Sequence, residues 1–164
     1  MRRSDREVRE RERIREILEG NDVIRIGFYD PKEKEVYIVP VNYGYEWKED
    51  ELVFYFHGAS SGRKAELSLS SPEVGFEIDR ENEFVENEIA CRNSVTYQSI
   101  IGNGSIEILK DPSEKLHGLM ILMKHITKKE DWQFDERMVQ AVAVYRLAVT
   151  KYSAKEKVLA KGKA

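Results

Sequence analysis

The sequence predicts a mainly β fold: an antiparallel barrel or sheet with peripheral helices. Three observations predict it. Short runs rich in Val, Ile, Phe and Tyr recur along the chain, bounded by Gly, Pro, Asn and Asp. These runs mostly follow one another directly, whereas a parallel sheet would alternate them with helices. Only two or three segments carry strong helical spacing.

The chain has 164 residues, enough for one domain and at most a small second one. Aromatic residues make up 10% of it, which argues against disorder despite 35% charged residues. The net charge of -3 excludes a strong global field for nucleic acid, though local patches stay possible. No apolar run approaches the roughly 20 residues of a membrane span, and the start, MRRSDREVRERER, has no apolar core of the kind a secretory signal needs. Cys91 stands alone, so no internal disulfide forms; a packed thiol in a reducing cytoplasm is the expectation.

Residues 4 to 19 read as a surface helix. Ser4 and Glu7 fit a capping box, Val8, Ile14, Ile17 and Leu18 recur at helical spacing, and Gly20-Asn21 is the stop. Its arginines alternate with acids, as on a solvated, ion-paired face and unlike a nucleic-acid-binding stripe. Val23 to Tyr29 is the first strand, followed by the turn Asp30-Pro31-Lys32-Glu33. Val36 to Tyr43 is the second and Leu52 to Phe56 the third, with Gly44 to Glu51 as a polar connection. Pro40 lacks a ladder donor, so its strand is an edge, a bulge or a ligand-facing stretch.

Ser60 to Leu69 reads as a short helix and Val74 to Asp79 as the fourth strand. Phe84 to Ala90 fits a strand or a helix equally. Tyr97 to Leu109 is β-like, and Gly102-Asn103-Gly104 within it signals a bulge or a sharp bend. Pro112 to Lys124 is the clearest helix: Asp111 caps it, Glu114 completes the box, and Leu116, Leu119, Met120 and Met123 form its apolar stripe. Asp135 to Gln140 fits a short helix, and Val142 to Thr150 the closing strand. The domain is thus expected over residues 1–150, with 151–164 a basic, fraying tail of five lysines against Glu156.

His57, His117 and His125 are far apart in sequence and Cys91 has no partner cysteine, so no metal site is expected. The stretch from Phe54 to Lys64 is the most informative for binding. A strand ends at His57, small residues follow, and a helix begins near Ser61. Small residues let the backbone approach a ligand, and a helix start offers free amides to an anion. Arg63 adds a planar fork, Lys64 a point charge, and Ser60 and Ser61 hydroxyl donors. A phosphate pocket is one reading and a Ser-capped helix with solvated cations the other; the residues alone leave both open. Neither a P-loop nor a G-x-G-x-x-G fingerprint is present.

The order of motifs resembles a known family. Val39-Pro40-Val41-Asn42-Tyr43-Gly44-Tyr45 comes first, then Phe54 to Ala59 with Gly62-Arg63-Lys64, then Pro72 to Glu77, Cys91, and Tyr97 to Gly104. This is similar to the flavin-binding split-barrel superfamily of pyridoxamine 5'-phosphate oxidase, nearest its nitroimidazole-resistance (Nim-type) branch. The resemblance runs from about Arg13 to Thr150 and implies an antiparallel six-stranded split β-barrel that binds FMN. It implies that Arg63 and Lys64 hold the phosphate, with Ser61 beside them. The backbone of Val39, Pro40, Val41, Asn42 and Tyr43 would lie along the flavin ring, and His57 and Gly58 would line it. Gln98 would reach it within a homodimer whose interface carries the flavin. The basic signature that ends the oxidase is not reproduced by Val142 to Lys151, so oxidase activity on pyridoxamine phosphate is not expected.

Two functions follow from the resemblance. One is an FMN-dependent oxidoreductase that reduces a small electron-poor, nitro-type substrate, with His57 as the catalytic candidate. The other is a non-catalytic carrier or sensor of flavin or haem. Neither involves nucleic acid or a membrane.

Overall fold

Alternation of apolar and polar residues sets the sheet, and the computed structural model describes it over residues 4–158. Eight strands occur there: β1 (Glu7–Val8), β2 (Val23–Asp30), β3 (Glu35–Asn42), β4 (Gly44–Lys48), β5 (Glu51–Gly58), β6 (Glu73–Val85), β7 (Ser94–Ile108) and β8 (Ala143–Lys157). Four α-helices join them: α1 (Arg11–Glu19), α2 (Arg63–Ser70), α3 (Pro112–Thr127) and α4 (Glu136–Ala141). The sheet order is β3-β2-β6-β7-β8-β5-β4, every pairing is antiparallel, and β1 adds to β8. The expected mainly β architecture with flanking helices is therefore present, with eight strands in place of six.

The sheet curls around one core and carries a second on its other face. Ile24, Ile26 and Phe28 of β2, Phe54 and Phe56 of β5, Phe76 and Ile78 of β6, and Tyr145 and Leu147 of β8 fill the interior. Val53 and Tyr55, at the alternate positions of β5, turn to Leu119 of α3 and Val139 of α4. A strand with period two serves both cores only when both faces are apolar, and β5 is buried from Leu52 through Phe56.

Several boundaries differ from the sequence expectation, each for a physical reason. Ser4–Arg6 is one 3-10 turn, and Glu7 and Val8 pair with Lys155 and Ala154 of β8. Burying Val8 on the sheet prevails over the capping box, and α1 starts only at Arg11. The polar connection after Tyr43 is the strand β4, because Tyr45 and Trp47 alternate with Glu46 and Lys48 and pair with β5. The ambiguous stretch from Phe84 ends β6 at Val85 and then turns, leaving Cys91 exposed in a 3-10 turn where a packed thiol was expected. β8 runs seven residues past Thr150, since β7 is long enough to pair with it as far as Lys157. Ala154, hidden among lysines in the sequence, is fully buried there. The rest of the expected tail, residues 159–164, lies outside the described residues. The bulge foreseen at Gly102-Asn103-Gly104 is a register shift against β8 between Asn103 and Gly104.

Helix α3 is capped as expected: the Asp111 carboxylate accepts from the backbone N–H of Ser113 (2.9 Å) and Glu114 (3.1 Å). Its buried face is Gly118, Leu119, Leu122 and His125, whereas Leu116 is exposed and Met120 and Met123 are half-buried. A hydrophobic count ranks the methionines highly, but close approach decides the face. A Cβ on Gly118 would stand 2.9 Å from both Tyr55 and Val144.

His125 is a buried polar group of this interface. Its Nε2–H donates to the Asn21 carbonyl at 2.8 Å, and its ring stacks on Tyr43 with centroids 4.7 Å apart. Burial holds its pKa below the ordinary histidine value. In the unfolded chain the ring protonates near pH 6.5, so stability is full above that value and is lost as pH falls toward the depressed folded value. Thermal melts from about pH 7.5 down to about pH 5 should show this loss, and His125→Gln should flatten the slope.

Candidate functional site

The site begins where β5 ends. Tyr145, paired with Phe56, donates its hydroxyl to the Ala59 carbonyl (2.7 Å) and fixes the loop that follows Gly58. The loop reaches α2 through Gly62, whose φ of 94° is the left-handed conformation that glycine permits. Gly62 is the N-cap and no side chain caps this helix, so the Ser-capped reading does not hold. Ser61 is exposed in the loop just before it.

Lys64 folds back over the barrel mouth. Its Nζ lies 4.7 Å from the Tyr145 ring centroid and 5.4 Å from that of Phe56. A Cβ at position 58 would collide with this Nζ, so Gly58 is what admits the ammonium group. No carboxylate partners it among the described residues. Burial pushes its pKa down, the mark of a cation removed from water without compensation.

Arg63 is differently placed. Its Nε and Nη2 donate to Asp30 Oδ2 at 3.0 and 2.8 Å, and Nη2 also reaches Glu35 at 2.7 Å. The guanidinium lies 4.6 Å over the Tyr37 ring. Asp30 Oδ1 accepts from the N–H groups of Lys32 and Glu33, so the same carboxylate closes the β2–β3 turn. The Arg63 guanidinium holds the Asp30 carboxyl below its usual range. Arg63 thus pins α2 to the hairpin, and only its Glu35 contact is at an exposed acid.

The remaining expected site residues are distributed over three places. Val39 and Val41 point to the core while Pro40 and Asn42 point outward on β3, one end of the sheet order. Pro40 therefore sits on an edge strand, one of the alternatives its chemistry allows. Asn42 donates its side-chain amide to the Asp22 carbonyl at 3.0 Å. The Tyr43 ring is fully buried and its hydroxyl donates to the Leu18 carbonyl (2.8 Å), so only its backbone can face a ligand. His57 is exposed and stands on the face of β5 opposite Phe56 and Lys64. Gln98 pairs with Arg80, six residues along β6 from Val74 beside the hairpin end, or about 20 Å at strand rise. One chain therefore brings Lys64 onto Gly58, with Ser61 and Arg63 beside it along the start of α2 but the Arg63 guanidinium turned to the hairpin, and sets His57 and Gln98 apart from them. The sequence reading missed Asp30, Glu35, Tyr37 and Tyr145 as site residues; Asp30 had been read only as a turn former.

An antiparallel barrel whose order ends at β3 on one side and β4 on the other is open along that seam: a split barrel. The chain belongs to the pyridoxamine 5'-phosphate oxidase family, whose model matches residues 10–156. Among solved structures it is similar to one from Bacteroides thetaiotaomicron provisionally described as a 5-nitroimidazole antibiotic resistance protein. The two share 27% identity with a TM-score of 0.79, covering 92% of this chain and 86% of that one. A flavocytochrome from Azotobacter vinelandii shares the fold at 18% identity and a TM-score of 0.76, over 96% of this chain and 72% of its own. An FAD and haem binding protein from Mycobacterium smegmatis shares it at 17% and 0.77, over 97% and 77%. The search of curated proteins finds no match. No helix among the described residues is long and apolar enough to cross a membrane.

Proposed function

We propose that this chain binds FMN and acts as a cytoplasmic oxidoreductase that reduces a small electron-poor, nitro-type substrate, as a homodimer with the flavin at the subunit interface. Lys64 carries the reading: a half-buried ammonium at a barrel mouth, without a carboxylate partner among the described residues, fits a phosphate group. The surroundings fit it too, since glycine at position 58 leaves room and Ser61 stands free to donate. When bound, the flavin supplies the electron transfer. Lys64 takes the phosphate charge, and Arg63 joins it by leaving Glu35 while keeping Asp30. The backbone from Val39 to Tyr43 orients the ring, and His57 holds or delivers a proton at the substrate.

The dimer is supported by two observations. His57, Lys64 and Gln98 do not converge within one chain, and a two-fold partner that brings its own Gln98 to the site would account for this. The outer face of the sheet also carries exposed Tyr29, Val36, Ile38 and Ile101 around Gly27 and Gly75, which pair side by side. The experiment is direct. Purified protein supplied with FMN should be yellow and sediment as a dimer, bleach with NADPH and recolour with a nitroimidazole. His57→Ala should keep the flavin and lose turnover. A flavin or haem carrier is the second reading, favoured by the two haem-associated structural neighbours. A Soret band on haem addition, with no NADPH-driven turnover, would establish it instead.

A further inference from the structure

A cavity of about 630 Å³ opens between the end of α1, the strand β4 and the last turns of α3. Small-molecule sites usually span roughly 300–1,000 Å³. Tyr45 and Trp47 of β4, set edge to face with centroids 5.5 Å apart, and Ile121 of α3 give it an apolar, largely aromatic wall. None of the residues proposed to hold flavin lines it.

One buried polar group in this lining is left half used. His125 lines the cavity and is only 6% exposed. Its Nε2 stands 2.8 Å from the Asn21 carbonyl, which only accepts, so Nε2 carries a proton. Burial lowers the pKa and keeps the ring neutral near neutral pH, which leaves Nδ1 as an acceptor. No donor meets Nδ1 among the described residues. Nor is Nδ1 sealed from solvent: among the described residues, the one shielded side-chain polar atom without a partner is Arg146 Nε. An atom of a buried ring that is neither paired nor sealed opens on the cavity the ring lines, and it calls for a donor.

Charge does not select the guest. Arg15, Lys124 and Lys128 in the lining are balanced by Glu19, Glu46 and Glu130. Each is already engaged within the chain: Arg15 by Glu12 (3.0 Å), Lys124 by Glu130 (2.5 Å), Lys128 by the Glu19 carbonyl (3.3 Å), Glu19 by the Tyr45 hydroxyl (3.2 Å), and Glu46 by Tyr55 and His117. A net charge on the guest therefore gains nothing from the wall. What stays unused is one acceptor beside aromatic rings. We infer that the cavity binds a neutral, planar heteroaromatic of the indole class, whose ring N–H donates to His125 Nδ1 while its body rests on Tyr45, Trp47 and Ile121.

Indole and benzofuran test this, being alike in shape but for the N–H. The readout is the His125 Nδ1 resonance in a long-range nitrogen–proton correlation spectrum of the full chain. It is assigned by elimination with His57→Gln and His117→Gln, both at exposed positions, so the buried ring is left intact. Indole should shift this resonance. Benzofuran should bind about tenfold more weakly, the worth of one hydrogen bond to a buried acceptor. Tryptamine and indole-3-acetate should bind no more tightly than indole. A resonance unmoved near the solubility limit of indole would overturn the site. Benzofuran binding as tightly as indole would overturn the hydrogen bond to Nδ1, and a charged derivative binding more tightly would overturn the neutral guest.

Discussion

Lys64→Gln should lower FMN affinity about 10- to 100-fold and leave riboflavin affinity nearly unchanged. The estimate is one charge-assisted hydrogen bond to phosphate, roughly 1.5–3 kcal/mol. Riboflavin lacks the phosphate, so it reports the rest of the pocket alone. The melting temperature should hold or rise slightly, because Lys64 has no carboxylate partner among the described residues and its half-buried charge is relieved. Arg63→Gln should behave in the opposite way. Its affinity loss should be the smaller, since Asp30 and Glu35 already occupy the guanidinium, while the hairpin contact it makes is lost. Fluorescence titration of both flavins into apo-protein, beside thermal melts, reads both effects. Equal FMN affinity in Lys64→Gln and the parent would remove the phosphate site, and with it the main support for a flavoprotein.

Gly44→Ala should destabilise the fold by roughly 1–3 kcal/mol, a fall of several degrees in melting temperature for a chain of this size. The added Cβ would stand 2.5 Å from the Ile121 carbonyl oxygen and 2.6 Å from Leu122 Cα. These are backbone atoms of α3, so no rotamer change relieves the contact. The helix or the strand has to move, and with it the stack of Tyr43 and His125 that joins them. Melting followed by circular dichroism checks this. An unchanged midpoint would mean that β4 and α3 stand further apart than the structure places them.

Both predictions turn on features of different legibility. The strands β2, β3 and β5 were readable because their apolar residues alternate or run together between clear turn residues. Asp111 and Pro112 announced α3 through local chemistry. β4 was hidden because Glu46 and Lys48 make it look polar, and only its pairing with β5 reveals it. The end of β8 was hidden for the same reason among its lysines. For the site, Arg63 and Lys64 look equivalent in sequence, since both are cations at a helix start. The difference between them is tertiary: Asp30 and Glu35 arrive from a hairpin some thirty residues away, and no spacing rule shows it. The separation of His57 from Lys64 follows from strand period two, which is legible once the strand is known to reach Gly58.

The short strand β1 has a consequence for handling the protein. β8 pairs with β5 along its first half, and beyond that half the same edge would be bare where Glu7 and Val8 lie against Lys155 and Ala154. Bare ladder edges recruit other extended chains. Two residues near the start of the sequence thus act as a guard against self-association, and Val8 is fastened by its own burial. A chain trimmed at Arg9 loses Val8 from its core but keeps its site residues, and it offers an open row of N–H and C=O groups to its neighbours. The first sign of such trimming would be turbidity at high concentration, before any change in ligand binding.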